Sequence, residues 1–294
     1  MWEGFETAKI PTDETTIFIR RGGKGPPVLL LHGFPQSHLM WHGIAPILAR
    51  NFTVICADLR GYGESGCPAS TPDHAPYSKR TMARDMVTMM AALGYARFAL
   101  VGHDRGARVA YRLAFDHPQR LSRLALLDIV PTAVNWQNAD ARFTQRHWPW
   151  SLLTQTEPLP ERILQAVPDA VIDSFGLRDK VKFNSEIRAA YIQTLREPEH
   201  AHAICEDYRA AATLDRQYDE EDQAAGRKIK CPVLVLWSAN GLIARIHKDA
   251  GGHLAIWKDW AEHVEGGPLN AGHFFPEEIP DETAHVLGRF LIAQ

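Results

Sequence analysis

Residues 98–108 read Phe98-Ala99-Leu100-Val101-Gly102-His103-Asp104-Arg105-Gly106-Ala107-Arg108. The stretch Arg97–Gly102 is short, apolar and bounded by polar residues, as in a strand buried on both faces. Over Arg105–Phe115 the apolar residues fall at helical spacing. A strand therefore passes almost directly into a helix, and Gly102 and Gly106 stand two residues to either side of Asp104. That glycine pattern belongs to a nucleophile elbow, a strained turn that lifts one side chain above the sheet edge. Glycine suits the flanks because it brings no Cβ into the turn.

Working outward, the same kind of aliphatic run recurs at Pro27–His32, Phe52–Ala57, Leu121–Asp128 and Pro232–Trp237. Helical spacing appears over His38–Arg50, Lys79–Gly94 and Asp281–Ile292. Alternating strands and helices predict an α/β fold, a mostly parallel sheet with helices on both faces. The alternation stops between Pro131 and Arg227, where helix-like segments such as Glu186–Arg196 replace the aliphatic strands. This stretch is expected to be a helical cap over the C-terminal edge of the sheet. The expected division is a core of residues 1–130 and 228–294 and a cap of residues 131–227. Met82, Met86, Met89, Met90 and Leu93 make one stripe on the Lys79–Gly94 helix, and such a stripe reads as core packing.

Composition narrows the function classes. The chain has 294 residues, 45% of them hydrophobic, enough for a full core. Its 32 basic and 35 acidic residues leave a net charge of -3 without a long run of one sign, so nothing points to nucleic acid or to an anionic membrane. Cys56, Cys67, Cys205 and Cys231 are scattered without metal-ligand spacing and read as reduced thiols. Neither a secretory leader nor an apolar run of about 18 residues is present, which makes a cytoplasmic setting the expectation.

Asp at the elbow, where serine is usual, carries mechanistic information. Serine attacking a saturated carbon leaves an ether that water does not readily cleave. A carboxylate attacking the same carbon leaves an ester that an activated water opens. The remaining partners follow in the order nucleophile, acid, histidine. His273, in Gly272-His273-Phe274, is placed to serve as general base just before the C-terminal helix. The run Ser238-Ala239-Asn240-Gly241 after the Pro232–Trp237 strand holds no carboxylate, so the orienting acid is assigned to Asp128. The backbone N–H groups of Phe34 and Arg105 are expected to form an oxyanion hole. Asp58–Ser65 is glycine-rich but lacks phosphate-binding spacing and reads as a structural loop. Arg105 and Arg108, three residues apart on the opening turns of the elbow helix, suit a carboxylate substrate held bidentately.

Taken together, HGFP (residues 32–35), DLRGYGES (58–65), GHDRGAR (102–108), LLDIVPT (126–132) and GHFFPEE (272–278) resemble the α/β-hydrolase-fold haloacetate dehalogenases, of which the fluoroacetate dehalogenases are the best-known members. GHDRGAR is the most specific piece. HGFP and the elbow Asp are shared with epoxide hydrolases and haloalkane dehalogenases. The resemblance implies a nucleophile at Asp104, triad partners at Asp128 and His273, and a carboxylate clamp at Arg105 and Arg108. It also implies a halide pocket made of a His-Trp pair and a cap tyrosine. Tyr208 matches the tyrosine. Trp150 falls at the tryptophan and Pro149 at the histidine, while His147 lies two residues earlier. Phe175-Gly176-Leu177-Arg178-Asp179 lacks a tryptophan that the family often has. The implied reaction turns a short 2-haloacid into the 2-hydroxy acid and needs no metal or organic cofactor. An epoxide hydrolase with the same triad is the alternative, with Tyr191, Tyr208 and Tyr218 as available acids. A binding protein for small acids is a second. A homodimer contact on the cap is an expectation from fold-level analogy.

Overall fold

The computed structural model describes residues 2–177, 183–247 and 251–292. Its single sheet has eight strands: β1 (Phe5–Pro11), β2 (Thr16–Gly22), β3 (Pro27–Leu31), β4 (Thr53–Ala57), β5 (Phe98–His103), β6 (Leu121–Leu127), β7 (Val233–Ser238) and β8 (Val264–Leu269). In space they run β1-β2-β4-β3-β5-β6-β7-β8, with β2 antiparallel to both neighbours and every other pair parallel. Side chains alternate along each strand, so the sheet feeds two apolar layers. Leu29, Leu31 and Leu100 pack into one, with the helices α2 (Lys79–Ala92) and α3 (Arg105–Asp116). Val28, Leu30 and Val101 pack into the other, with α1 (Ala45–Leu48) and residues Leu287 and Phe290 near the C-terminus. Met82, Met86, Met89 and Met90 of α2 are fully buried, so the methionine stripe is core.

The register decides where chemistry can occur. Leu31 lies beside Gly102, His103 beside Leu127, and Leu127 beside Leu236. β3, β5, β6 and β7 therefore end along one edge, and the residues following them, Phe34, Asp104 and Asp128 among them, emerge together. Open α/β sheets place ligands at this edge.

Between β6 and β7 the described residues hold eight helices and no strand: α4 (Thr132–Gln137), α5 (Ala141–Arg146), α6 (Trp148–Leu152), α7 (Leu159–Ala166), α8 (Pro168–Ser174), α9 (Ser185–Arg196), α10 (Pro198–Ala212) and α11 (Leu214–Ala224). After β7 come α12 (Leu242–Ile246), α13 (Gly252–Trp260), α14 (Phe275–Glu278) and α15 (Pro280–Ile292). No helix among the described residues is long and apolar enough to cross a membrane. Arg178 and Asp179 lie outside the described residues.

Two expectations are corrected. The single helix expected over His38–Arg50 is a 3-10 turn (His38–His42) followed by α1, because Gly43 caps the first piece and Pro46 opens the second. Three strands escape the aliphatic pattern: β1 and β8 lie at the sheet's edges, and the buried run of β2 is only Ile17-Phe18-Ile19 before Arg20 and Arg21. β1 and β2 form an antiparallel hairpin, and β8 (Val264-Glu265-Gly266-Gly267-Pro268-Leu269) buries only Leu269. An edge position is where a strand tolerates proline.

Replacing the buried Met86 by alanine should lower stability by about 2–5 kcal/mol, the range for truncating a core methionine. Denaturant titration checks this, and an unchanged midpoint would remove the stripe from the core.

Candidate active site

Asp104 stands between β5 and α3 with φ 46° and ψ -114°, a conformation L-residues adopt only under constraint. A Cβ on Gly102 would come within 2.5 Å of the Ala107 Cα, and one on Gly106 within 2.4 Å of the His32 carbonyl. Both flanking glycines are thus required by close backbone packing. The Phe34 N–H donates to Asp104 Oδ1 over 3.0 Å. Arg105, as the first residue of α3, has an N–H without an intrahelical acceptor. Burial would raise the Asp104 pKa, but the nearby charge of His273, with those of Arg105 and Arg108, outweighs it and holds the group at about 2.

His273 Nε2 lies 3.9 Å from Asp104 Oδ2, and its Nδ1–H donates to Asp128 Oδ2 over 2.5 Å. Asp128 follows β6 with φ 54° and accepts the Ser238 N–H on its other oxygen at 2.9 Å. Burial works against a charged imidazole, yet the hydrogen bond and charge of Asp128 raise the His273 pKa above its ordinary value. The ring is thus fixed in one tautomer, with Nε2 turned toward Asp104.

These groups open on a cavity of about 180 Å³. Its walls include Arg108, His147, Trp150, Phe175 and Tyr208 as well as the triad. All three residues expected at the halide pocket therefore meet around Asp104, and Pro149 stands in the same wall. Trp150 and Tyr208 line the cavity, and His147 Nδ1 is buried there without a hydrogen-bond partner among the described residues. Burial lowers the His147 pKa to about 3, so this ring is neutral.

The two arginines have different surroundings. Arg105 donates from Nε and Nη2 to the carboxylate of Asp207 on α10, at 2.9 and 2.7 Å, and from Nη2 to the Asp207 carbonyl at 2.8 Å. Only Nη1 is without a partner, and Arg105 is not part of the cavity wall. The expected two-arginine clamp is corrected to this extent: the guanidinium edge of Arg105 already holds a buried carboxylate, which raises its pKa against the effect of burial. Arg108 is fully buried too, but it donates only to the Val130 carbonyl at 3.1 Å and the Thr132 hydroxyl at 3.0 Å. It has no ion pair among the described residues, its Nε is without a partner, and burial lowers its pKa. Its guanidinium lies 4.6 Å from the centre of the Trp150 ring.

Asp207 is the residue that sequence reading passed over. It also accepts from Tyr62 at 2.8 Å and from Lys79, and the charges of Arg105 and Lys79 hold its carboxyl well below the usual range despite burial. The available signal was its place beside Tyr208, in a helix whose other face is apolar. Away from the cavity, Glu157, Glu161 and His202 bring donor atoms within 4.8 Å of one another, but Arg209 already pairs with Glu161 at 2.7 Å. That cluster is balanced by a side-chain cation.

Comparison with known proteins identifies the family of the fold. Residues 26–278 match the family model described as alpha/beta hydrolase fold. The chain belongs to that family. Its α/β-hydrolase fold is 41% identical to a fluoroacetate dehalogenase from Burkholderia sp, over 99% of this chain and 95% of the relative. It is 32% identical to a soluble epoxide hydrolase from Corynebacterium sp. (strain C12), over 88% and 87%. Among solved structures, an alpha/beta hydrolase from Nostoc sp PCC 7120 superposes with a TM-score of 0.94 at 47% identity, covering all of both chains. A variant of a Pseudomonas aeruginosa protein named as an epoxide hydrolase, with bound MFA, superposes with a TM-score of 0.89 at 43% identity, over 98% and 96%.

Asp207→Ala should cost about 3–5 kcal/mol, because Arg105 would stay buried without a counter-charge and Lys79 would keep only Asp215, at 3.5 Å. Equilibrium unfolding checks it; a loss below about 1 kcal/mol would mean that water reaches these cations.

Proposed function

We propose that this α/β-hydrolase converts a short 2-haloacid to the 2-hydroxy acid through an ester on Asp104. The observation that carries the reading is Arg108, a buried guanidinium without a carboxylate partner in the cavity that holds the nucleophile. A buried cation is costly unless an anion joins it. A haloacid supplies that anion, whereas a neutral epoxide leaves the charge unmet. Arg105, held back by Asp207, adds positive field and one free nitrogen.

With the carboxylate on Arg108, Asp104 Oδ2 attacks the α-carbon. The carbon–oxygen bond forms as the carbon–halogen bond breaks, and the halide leaves with the electron pair. The Trp150 indole N–H, the Tyr208 hydroxyl and His147 are the proposed donors to that halide. His273 Nε2 then takes a proton from water, and the oxygen of that water adds to the ester carbon. Negative charge collects on Oδ1, where the Phe34 N–H already donates. Collapse breaks the bond from the ester carbon to Oδ2. The hydroxy acid leaves with the proton from His273, and the Asp104 carboxyl then gives up the remaining proton of that water, by way of His273, to solvent, which restores the carboxylate. In this reading residues 131–227 act as the cap over a core of residues 1–130 and 228–294, and the protein works in the cytoplasm.

Halide release from fluoro-, chloro- and bromoacetate, set against epoxide opening, tests the reading. Epoxide opening without halide release would overturn it. His273→Asn should stop after the first step, leaving one carboxymethyl group on Asp104 after bromoacetate; steady turnover in this variant would contradict the mechanism. In the wild type, alkylation should keep its rate between about pH 8 and pH 5 because Asp104 stays ionised. Hydrolysis should fall on acidification as His273 protonates, with a midpoint above 6.5.

Fluoride depends most on hydrogen bonds as it leaves. With Pro149 offering no donor, His147 is the third candidate. His147→Ala should therefore lower fluoroacetate turnover about one to two decades more than chloroacetate turnover, the value of one charge-assisted bond made in the transition state. Equal losses on both substrates would remove His147 from the leaving-group pocket.

A further inference from the structure

Behind the general base lies a buried chain of polar groups that the reaction does not use. His103, the residue before the nucleophile, contacts the carbonyl of His273 through Nε2 at 2.8 Å and the side-chain amide of Gln36 through Nδ1 at 3.2 Å. The far end of that amide is hydrogen-bonded to Glu277 on α14, and the Tyr191 hydroxyl, from α9 of the helical insertion, donates to Glu277 Oε1 at 3.1 Å. His103, Gln36, Glu277 and Tyr191 are all buried.

The donors in this chain can be counted. A neutral imidazole has one N–H. The His273 carbonyl can only accept, so that N–H is on Nε2 and Nδ1 must itself receive a donor. As placed, Gln36 turns its oxygen toward His103 and its NH2 toward Glu277; the count requires the amide to be turned end for end, NH2 toward His103 and oxygen toward Glu277, and the two ends of an amide are assigned by such networks. Two oxygens now face each other, and a proton must lie between them. Among the described residues Glu277 is its only source, because Tyr191 is already donating to the other carboxyl oxygen.

We propose that Glu277 is a positioning residue whose carboxyl proton orients the Gln36 amide, through it the His103 tautomer, and so the backbone that carries His273. The inference rests on His273 being the general base. Loss of that proton would reverse the amide, move the His103 N–H to Nδ1 and set a lone pair against the His273 carbonyl.

The surroundings agree. The groups around Glu277 are Gln36 from the loop after β3, Tyr191 from α9, His103 behind Gln36, and Glu278 on its own helix, with Asp58, bonded to His38, beyond Tyr191. Glu277 has no ion pair to a cation among the described residues. Burial pushes its carboxyl up to about 7, while burial and the neighbouring His273 push His103 down to about 4, so His103 is neutral where the enzyme works.

The test is nitrogen NMR of histidine-labelled enzyme without substrate, with the His103 signal assigned by its loss in H103Q. The wild type should show His103 neutral with its proton on Nε2 at about pH 6, and should lose that tautomer as pH rises to about 9. E277Q carries a permanent N–H toward Gln36 and should keep the tautomer throughout. A His103 signal unchanged over this range in the wild type, or titrating alike in E277Q, would overturn the inference. This signal needs neither substrate nor turnover, so it decides the matter whatever becomes of the haloacid reading. On a substrate that is turned over, the ratio of kcat at about pH 9 to kcat at about pH 6 should be about tenfold higher in E277Q than in the wild type, the scale on which a misplaced base costs rate. Equal ratios would also overturn it.

Discussion

Asp104 is held at φ 46° and ψ -114°, and the rest of the site is arranged around that constraint. Such a residue costs about 1–3 kcal/mol and persists only where its surroundings over-determine it. Here the Asp104 N–H donates to the Leu127 carbonyl at 3.2 Å, its carbonyl accepts the Arg108 N–H at 3.2 Å, and Phe34 fixes one carboxylate oxygen. Strand β5 runs between β3 and β6, fully buried, so the elbow has no room to relax. Asp128, ending the neighbouring strand, is likewise at positive φ. Two carboxylates at the ends of adjacent parallel strands thus emerge at one edge and meet His273 from different sides.

The second organising feature is the contrast between two buried arginines one helical turn apart. Arg105 joins α3 to the helical insertion through Asp207, with Lys79 and Tyr62 on the same carboxylate. That network fixes the neighbouring Tyr208 over the cavity, its ring centre 4.0 Å from the Arg105 guanidinium. Arg108 faces the cavity without an ion pair among the described residues. One cation holds the structure together, and the other is, in the proposed reading, the one that meets the substrate carboxylate. A lysine at position 108 would supply charge but no planar fork for a carboxylate.

Much of this was legible in the residues themselves. The five aliphatic strands were readable because burial on both faces makes a run uniformly apolar. The edge strands β1 and β8 were not, since strands with little side-chain burial lose that mark, and neither was β2, whose buried run ends after Ile17, Phe18 and Ile19. The meeting of Asp104, Asp128 and His273 could be expected because the glycines around Asp104 and the order of the two aspartates and the histidine along the chain are local or sequential signals. The division of labour between Arg105 and Arg108 could not. It depends on Asp207, 102 residues away in sequence, and on a burial that no local pattern reports. His147 posed the same difficulty: counting back along α6 favoured Trp150 with Pro149, yet the turn before that helix brings His147 to the same cavity wall.

The central claim is that Asp104 becomes an ester which water opens at its carbonyl carbon. A single turnover in oxygen-18 water, with enzyme in excess over chloroacetate, tests it directly. The account predicts that the label enters the Asp104 carboxylate, found by peptide mass spectrometry, while the first hydroxy acid released carries none. Label in that product with an unlabelled Asp104 would mean that water attacks the substrate carbon directly, and would contradict the account.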